Sequence, residues 1–425
     1  MTGARIHYAW AVLATGTLTV AGALGIARFG YTMVLPSMQQ ALGFDNTQAG
    51  GLATANLIGY SALAVLGGAL ASRFGPRIVI TVGLTCAGLA MLFTATVDGF
   101  ASAAAWRFVT GMGSGASNVP VMGLMASWFG ARRRGLASGV AVAGSSVALI
   151  VLGPTVPRLI AAGGEAGWRV SWYVFGAATL ALAALSYLVL RDRPSDVGLA
   201  PLGGDTWSTH EESRARAADD DPGVDGQVVP PGTALRWGLV YRSPAVWHLG
   251  LVYVAFGFSY IIYMTFFTKY LVNEAGYSSA DAGGLFMLMG WFSLLCGVIW
   301  GAVSDAIGRK WALVIVYLIQ MTAFALFDLW AAPPGFLISA VLFGLTAWSI
   351  PAIMAAACGD ALGSRLAPAA LGFVTAFFAL GQALAPTVAG ALADSTGSFG
   401  SSFLLAAAVA FGGAVMAAFL RPAAR

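Results

Sequence analysis

Apolar residues run along this chain in long blocks, separated by short polar or charged breaks. Twelve blocks stand out, near 8–38, 48–71, 78–97, 102–129, 136–160, 169–190, 244–272, 281–303, 311–331, 335–359, 369–393 and 400–420. A helix that crosses the hydrocarbon of a bilayer needs about 20 apolar residues. The pattern therefore predicts an all-α membrane protein with twelve transmembrane helices. Only residues 192–236 form a long polar tract, with charges of both signs, Pro and Gly, and few apolar side chains. Such a composition predicts a flexible linker. The expected organisation is a six-helix bundle over 1–191, a linker over 192–243 and a second six-helix bundle over 244–425.

The two halves resemble each other. A shift of 233 residues aligns Gly43 with Gly276, Ala49-Gly50-Gly51-Leu52 with Ala282-Gly283-Gly284-Leu285, Gly68 with Gly301 and Gly75 with Gly308. At nearly the same shift Pro120 meets Pro351, Arg134 meets Arg365, and Pro154-Thr155-Val156 meets Pro386-Thr387-Val388. Two repeated bundles with a site between them are the architecture of many secondary transporters. Gly144 and Pro154 in the fifth span, Pro386 in the eleventh, and Pro120 and Pro351 in the fourth and tenth mark expected kinks.

Composition sharpens this picture. The chain is 58% hydrophobic, 9% charged and holds 55 glycines, and its mean hydropathy is +0.80. Small residues let helices approach closely in lipid. Acidic and basic residues nearly balance, at 18 and 22, so their positions matter more than their sum. With a cytoplasmic N-terminus, Arg5, Arg73, Arg77, Arg132, Arg133, Arg134, Arg309, Lys310, Arg365, Arg421 and Arg425 all fall inside, and the opposite loops carry almost no Lys or Arg. This positive-inside pattern puts both termini in the cytoplasm of a multi-pass protein of the cell (inner) membrane. The first apolar block is too long for a cleaved leader and reads as the first span. The arginine run 132–134 is a topology signal, so nucleic acid is not an expected partner. Cys86, Cys296 and Cys358 lie inside predicted helices without metal-ligand spacing. No metal or other cofactor is expected, and no pairing of nucleophile and base suggests an enzyme.

Several stretches resemble the major facilitator superfamily. Gly301-Ala302-Val303-Ser304-Asp305-Ala306-Ile307-Gly308-Arg309-Lys310 is similar to that family's loop between spans eight and nine. The first-half equivalent, Gly68 to Arg77, keeps the glycines and Arg77 but has Ser72 where the acid usually sits. Arg107, Gly111, Gly113 and Gly115 resemble its fourth-span pattern, and Gly139, Gly144 and Gly153-Pro154 its fifth-span hinge. The segment Arg191-Asp192-Arg193-Pro194-Ser195-Asp196-Val197-Gly198-Leu199 looks like the end of span six in bacterial monocarboxylate and oxalate/formate carriers. Gly25-Ile26-Ala27-Arg28-Phe29-Gly30-Tyr31-Thr32 with Leu35-Pro36 looks like the first span of YbfB/YjiJ-type porters. The resemblance implies alternating access, small organic anions as substrates, and a latch between the bundles in which Asp305, Arg309 and Arg77 take part. Ser72 can cap a helix but brings no charge to the first-half latch.

Ionisable groups inside spans are costly and mark function by default. Arg28, Arg107 and Lys269 qualify, whereas every Asp and Glu falls in a loop or near a span end. Unpaired positive charge in the interior favours an anion, because a guanidinium offers a planar fork of donors to a carboxylate. Arg28 lies roughly 7 Å past the middle of span one, near Gly25, Tyr31 and Thr32 at helical spacing. It is the expected carboxylate ligand, the alternative being a bond to backbone carbonyls at a kink near Gly30. Arg107 has equal claims as a substrate contact, a proton-tuning group or a structural tie. Lys269 is read as snorkelling to the interface or as a gate, and His248 as an interface residue. Tyr31, Asn56, Tyr60, Asn118, Tyr260, Tyr263, Trp291 and Gln382 are further substrate-site candidates.

The expected function is secondary transport of a small carboxylate, coupled to protons or to exchange for another anion. Efflux of amphipathic compounds and a non-transporting sensor are the alternatives. Each chain holds both halves of the site, so a monomer in the lipid bilayer is expected.

Overall fold

The computed structural model describes residues 7–203 and 237–420. Within them nearly every residue is helical, apart from short connections and an isolated parallel bridge between Phe129 and Leu202. Span one is Ala9–Leu42 and span three Pro76–Thr94. Span two, Asn46–Phe74, bends by 44° near Val65, and span eight, Ser279–Ser293 with Cys296–Ile307, bends by 43°. Residues Arg133–Val189 form one long apolar run that contains span five (Ala131–Val142 and Gly144–Gly163) and span six (Gly167–Val189). Span four is Phe100–Trp128, in which glycine, serine and Arg107 dilute the apolar character. Spans seven, nine, ten, eleven and twelve are Pro244–Asn273, Arg309–Leu329, Pro333–Leu362, Ala369–Thr396 and Gly400–Ala418. The twelve spans form two six-helix bundles.

The repeat in the sequence is a repeat in the backbone. Glycine at positive φ caps the helix at Gly43, lies just past the end of span seven at Gly276, and turns the chain between spans at Gly75 and Gly308. The pair Gly164 and Gly397 obeys the same 233-residue shift. At these positions a side chain would be strained. The turns at 75 and 308 set the hairpins that carry Arg77 and Arg309.

Each bundle is knit by glycine at helix crossings. In the first, a Cβ on Gly111 would collide with the Asn56 carbonyl, and one on Gly115 with the Tyr60 carbonyl. In the second, Gly257 meets the Phe378 carbonyl and Gly381 the Val254 carbonyl. The same device operates between the bundles. Spans two and eleven cross at Gly50 against Pro386 and at Gly390 against Asn46, and spans five and eight cross at Gly153 against Gly283 and at Gly290 against Ser146.

These contacts lie on one side of the midplane. Every hydrogen bond between the bundles among the described residues lies near mid-span or beyond it, toward the end opposite the termini. Near the middle, Ser293 donates to Ser146 and the Trp348 indole donates to the same hydroxyl. Further out, Thr32 donates to the Met264 carbonyl and Thr54 to the Ala383 carbonyl. At the outer edge, Asp394 of span eleven accepts from Asn46 N at 3.0 Å and from Thr47 N at 2.8 Å, across the N-terminus of span two. Among the described residues the bundles are thus closed on one side and unlinked by hydrogen bonds on the side that carries the chain termini.

The polar tract after span six differs from expectation at its start. Residues 204–236, most of the predicted linker, lie outside the described residues. Residues 192–203 are not a free linker, however, but a strap on the first bundle. Asp192 accepts from Arg77 N at 2.7 Å, at the first turn of span three. The Trp128 indole donates to the Arg191 carbonyl, and Leu202 exchanges backbone bonds with Trp128 and Gly130. Exposed helix-end donors account for the difference: a nearby carboxylate satisfies them.

Candidate functional site

Arg28 sits where the first span changes its winding. Residues Ala21–Phe29 form a π-helix between two α-helical stretches, an arrangement frequent at functional sites. Gly25 lets this wide segment press against Ala148 of span five. From the end of the π segment, Arg28 reaches across to the second bundle. Its Nη1 lies 3.3 Å from the Tyr260 hydroxyl and 3.4 Å from Gln382 Oε1. Tyr260 also donates to Gln382 Oε1 at 3.2 Å. On the first-bundle side the guanidinium lies over the Tyr60 ring, 4.4 Å from its centroid, and Asn118 donates to the Tyr60 hydroxyl at 3.0 Å.

Arg28, Tyr60, Asn118, Tyr260 and Gln382 therefore form one cluster from five positions named in the sequence. The glycine crossings explain how. Gly111 and Gly115 bring span four against Asn56 and Tyr60, and Gly257 and Gly381 bring span eleven against span seven near Tyr260. The cluster is rich in unpaired donors: Arg28 Nε and Nη2 and Gln382 Nε2 are buried without a hydrogen-bond partner. The two bonds Arg28 makes are longer than the usual range for an N–H donor. Among the described residues the ion pairs are Arg169–Asp98, Arg309–Asp305 and Arg309–Asp360, so no carboxylate neutralises Arg28. A cluster of this kind has donors and charge for an anion.

Arg107 stands behind it. Although eight residues into span four, it is only 1% exposed. It donates to the Ala27 carbonyl at 2.8 Å and lies over the rings of Tyr31 and Trp172, at 4.8 and 5.2 Å. Asn56 donates to the Arg107 carbonyl, and Tyr31 to the Ala49 carbonyl. Tyr31 and Asn56 thus hold Arg107 and the backbone, and do not reach the Arg28 cluster by hydrogen bonds.

Two sequence candidates belong elsewhere. Tyr263 bonds Ser339 at 2.6 Å and is ringed by Phe267, Phe324, Phe327, Phe343 and Phe403. Its position one helical turn from Tyr260 points it into the core of its own bundle. Trp291 is 56% exposed and outside the cluster, because its neighbour Gly290 takes the face that packs on span five.

The expected latch also differs. Arg309 pairs with Asp305 and, at 2.9 Å, with Asp360, and donates to Ser304. All four residues belong to the second bundle, so this ion-pair group ties a hairpin to span ten and not one bundle to the other. Arg77 donates to the Tyr187 carbonyl and lies over the Tyr187 ring, within the first bundle. The described acid that does join the bundles is Asp394, at the opposite end. Its signal in the sequence is slight: an acid about two turns after the repeated Pro-Thr-Val. Lys269 is half-buried in the outer third of span seven and has no ion pair among the described residues. Gly144 follows a break in span five at Ala143 and lies against the Thr17 carbonyl of span one. Pro154 lines, with Pro157, Arg158, Ala280, Gly284 and Met287, a cleft of about 180 Å³ at the outer crossing of spans five and eight.

Comparison with known proteins agrees with this architecture. Residues 17–296 match the Major Facilitator Superfamily, and residues 238–418 match a family described as "Uncharacterised MFS-type transporter YbfB". The chain is 25% identical to a probable sulfoacetate transporter of Cupriavidus necator, covering 93% of this chain and 90% of that protein. It is 24% identical to the hexuronate transporter of Bacillus subtilis (95% and 93%) and 28% identical to monocarboxylate transporter 11 of Homo sapiens (82% and 69%). Among solved structures, a bacterial homologue of the lysosomal transporter Spinster, inward-facing and unoccupied, has a TM-score of 0.71 at 14% identity, covering 98% of this chain and 96% of that one. A D-xylose–proton symporter has a TM-score of 0.69 at 16% identity, covering 96% and 98%.

Proposed function

The chain belongs to the major facilitator superfamily, a class of transporters and not enzymes, and from that premise we propose that it carries a small organic anion by alternating access, with Arg28 binding the anion's carboxylate. The observation that carries the reading is Arg28 itself. It is a cation at the interface of the two bundles, it has unpaired N–H groups, and it lacks a carboxylate partner among the described residues. A substrate carboxylate would take over Nη1 from Tyr260 and Gln382, whose bonds to it are long. Because Tyr60 belongs to one bundle and Tyr260 and Gln382 to the other, such a substrate touches both, as rocking about a central site requires. The anionic substrates named for the sulfoacetate, hexuronate and tartrate transporters among its relatives support the same class.

In this reading the termini face the cytoplasm of an inner membrane, following the positive-inside rule. The bundles at 1–191 and 244–425 are then open to the cytoplasm and closed outside. Gly50, Gly153, Gly283 and Gly390 form the outer closure, and Asp394 fastens it. The chain works as a monomer. Inside-negative potential opposes entry of a monoanion by about 2.3 kcal/mol per 100 mV, so uptake is driven by a co-transported proton or by exchange. In the proton-coupled case the substrate's own carboxylate carries the proton, since no acid lies in the Arg28 cluster among the described residues.

The test is anion flux into proteoliposomes for mono- and dicarboxylates, sulfonated acids and lipophilic cations, with wild type and Arg28→Gln. Saturable carboxylate flux that Arg28→Gln abolishes, in a protein that still inserts and melts cooperatively, is the expected result. Full flux in the variant removes Arg28 from the site. Transport of lipophilic cations alone moves the assignment to efflux.

A further inference from the structure

A second feature lies beside the cluster. Between the bundles lies a cavity of about 10 Å³, lined in part by Arg28, Arg107, Asn56 and Thr32, and on the other bundle by Met264 and Thr265. None of Tyr60, Tyr260 and Gln382 lines it. Its volume is on the scale needed for one water-sized occupant and is too small for a substrate bearing a carboxylate. The donors around it, the Thr265 hydroxyl apart, divide into two groups. Tyr31, Thr32 and Asn56 give their protons to the carbonyls of Ala49, Met264 and Arg107. The guanidinium donors are unpaired: Arg28 Nε and Nη2, and Arg107 Nε, are buried with no partner.

The charge is unbalanced as well. Arg107 is 1% exposed, and its neighbours are the Ala27 carbonyl and the faces of Tyr31 and Trp172. These offer partial negative charge but no counter-ion, and neither arginine joins any ion pair among the described residues. An uncompensated buried cation is strongly unfavourable, and two of them line one cavity. Water would satisfy a donor but would leave the charge. A small monatomic anion satisfies both.

We propose that this cavity binds a single halide ion, held between Arg28 and Arg107 as their counter-ion. Chloride is the abundant halide that fits the role. The ion sits where the bundles meet on the closed side, with Asn56 and Arg107 on one wall and Met264 and Thr265 on the other. Opening that side parts the walls, so occupancy favours the conformation seen here. The proposal shares Arg28 with the substrate reading but does not rest on it, because it concerns the substrate-free protein and the cavity lined by Arg28 and Arg107.

The experiment uses the full chain in detergent, without carboxylate, at constant ionic strength. Chloride is replaced stepwise by hexafluorophosphate, which is too large for the cavity and is neither a carboxylate nor a sulfonate, and melting is followed; native-state binding raises the melting temperature by mass action. In parallel, crystals soaked in bromide are measured at the bromine edge. The expected result is a saturable rise with chloride and with bromide, lost in Arg107→Gln, and an anomalous peak between the two guanidinium groups. Equal melting in both salts with no anomalous peak overturns the proposal and leaves water there. If Arg107→Gln does not fold, the wild-type scattering decides alone. A carboxylate that expels bromide from the same position overturns the separate halide site while leaving Arg28 as a substrate ligand.

Discussion

Removing the Asp394 carboxylate is expected to open the closed side. Asp394 accepts from Asn46 N at 3.0 Å, Thr47 N at 2.8 Å and the Thr47 hydroxyl at 2.5 Å. The first two donors are helix-end N–H groups of span two, so the carboxylate also meets the positive end of that helix. Each bond contributes about 0.5–1.5 kcal/mol net, and a charge at a helix end about 0.3–1 kcal/mol. The group is exposed, so water replaces much of what is lost and the sum must be discounted for screening. About 1–2 kcal/mol remains for Asp394→Ala. At 1.4 kcal/mol per tenfold, that is a shift of roughly 5- to 30-fold toward the conformation open at this end. The crossings within each bundle, such as Gly111 on Asn56 and Gly257 on Phe378, remain packed in the variant, so the protein stays folded. Spin labels at Ala41→Cys and Ser395→Cys, with Cys86 replaced, would report the distance across this end by pulsed electron resonance. A longer-distance population should grow by that factor in Asp394→Ala, and by less in Asp394→Asn, which keeps one acceptor. An unchanged distance distribution would show that glycine packing alone holds the closure and would refute the argument.

Other expectations follow from the same contacts. Tyr263→Phe should lower stability by about 1 kcal/mol, the worth of its bond with Ser339, and leave anion affinity unchanged; a specific loss of affinity would return Tyr263 to the site. Asp305→Asn should cost under about 1 kcal/mol in thermal melting, since exposed ion pairs contribute little and Arg309 keeps Asp360 and Ser304. A large loss of stability would show that Asp305 supports more than this hairpin. Gly390→Val should prevent closure at the outer crossing, because a side chain there runs into the Asn46 carbonyl. Retained wild-type flux would contradict it.

The twelve apolar blocks, the two-fold repeat and the lone interior arginines were legible in the sequence, and for one reason. Hydrocarbon imposes its demands residue by residue: length, apolarity, and the cost of any charge. The repeat is likewise local, since turns that need positive φ need glycine wherever they occur, at Gly75 and at Gly308 alike. What the sequence could not decide is which face of each helix looks where. Tyr260 and Tyr263 are three residues apart, yet one meets Arg28 and the other is sealed in an aromatic core. That choice is made by crossings such as Gly257 on Phe378 and Gly381 on Val254, whose partners lie more than a hundred residues away. The π-helical turn at Ala21–Phe29 has no fixed residue code and emerges from packing against span five. The latch motif contained Asp305 and Arg309 but not Asp360, the second acid on Arg309, and Asp394 came to matter only once span eleven lay across the start of span two. The sequence thus determined that this protein spans a membrane in two like halves with arginines embedded in its spans. Tertiary structure alone decided which side is shut, which acid fastens it and which hydroxyls face the charge, because those depend on helices meeting across the bundle interface.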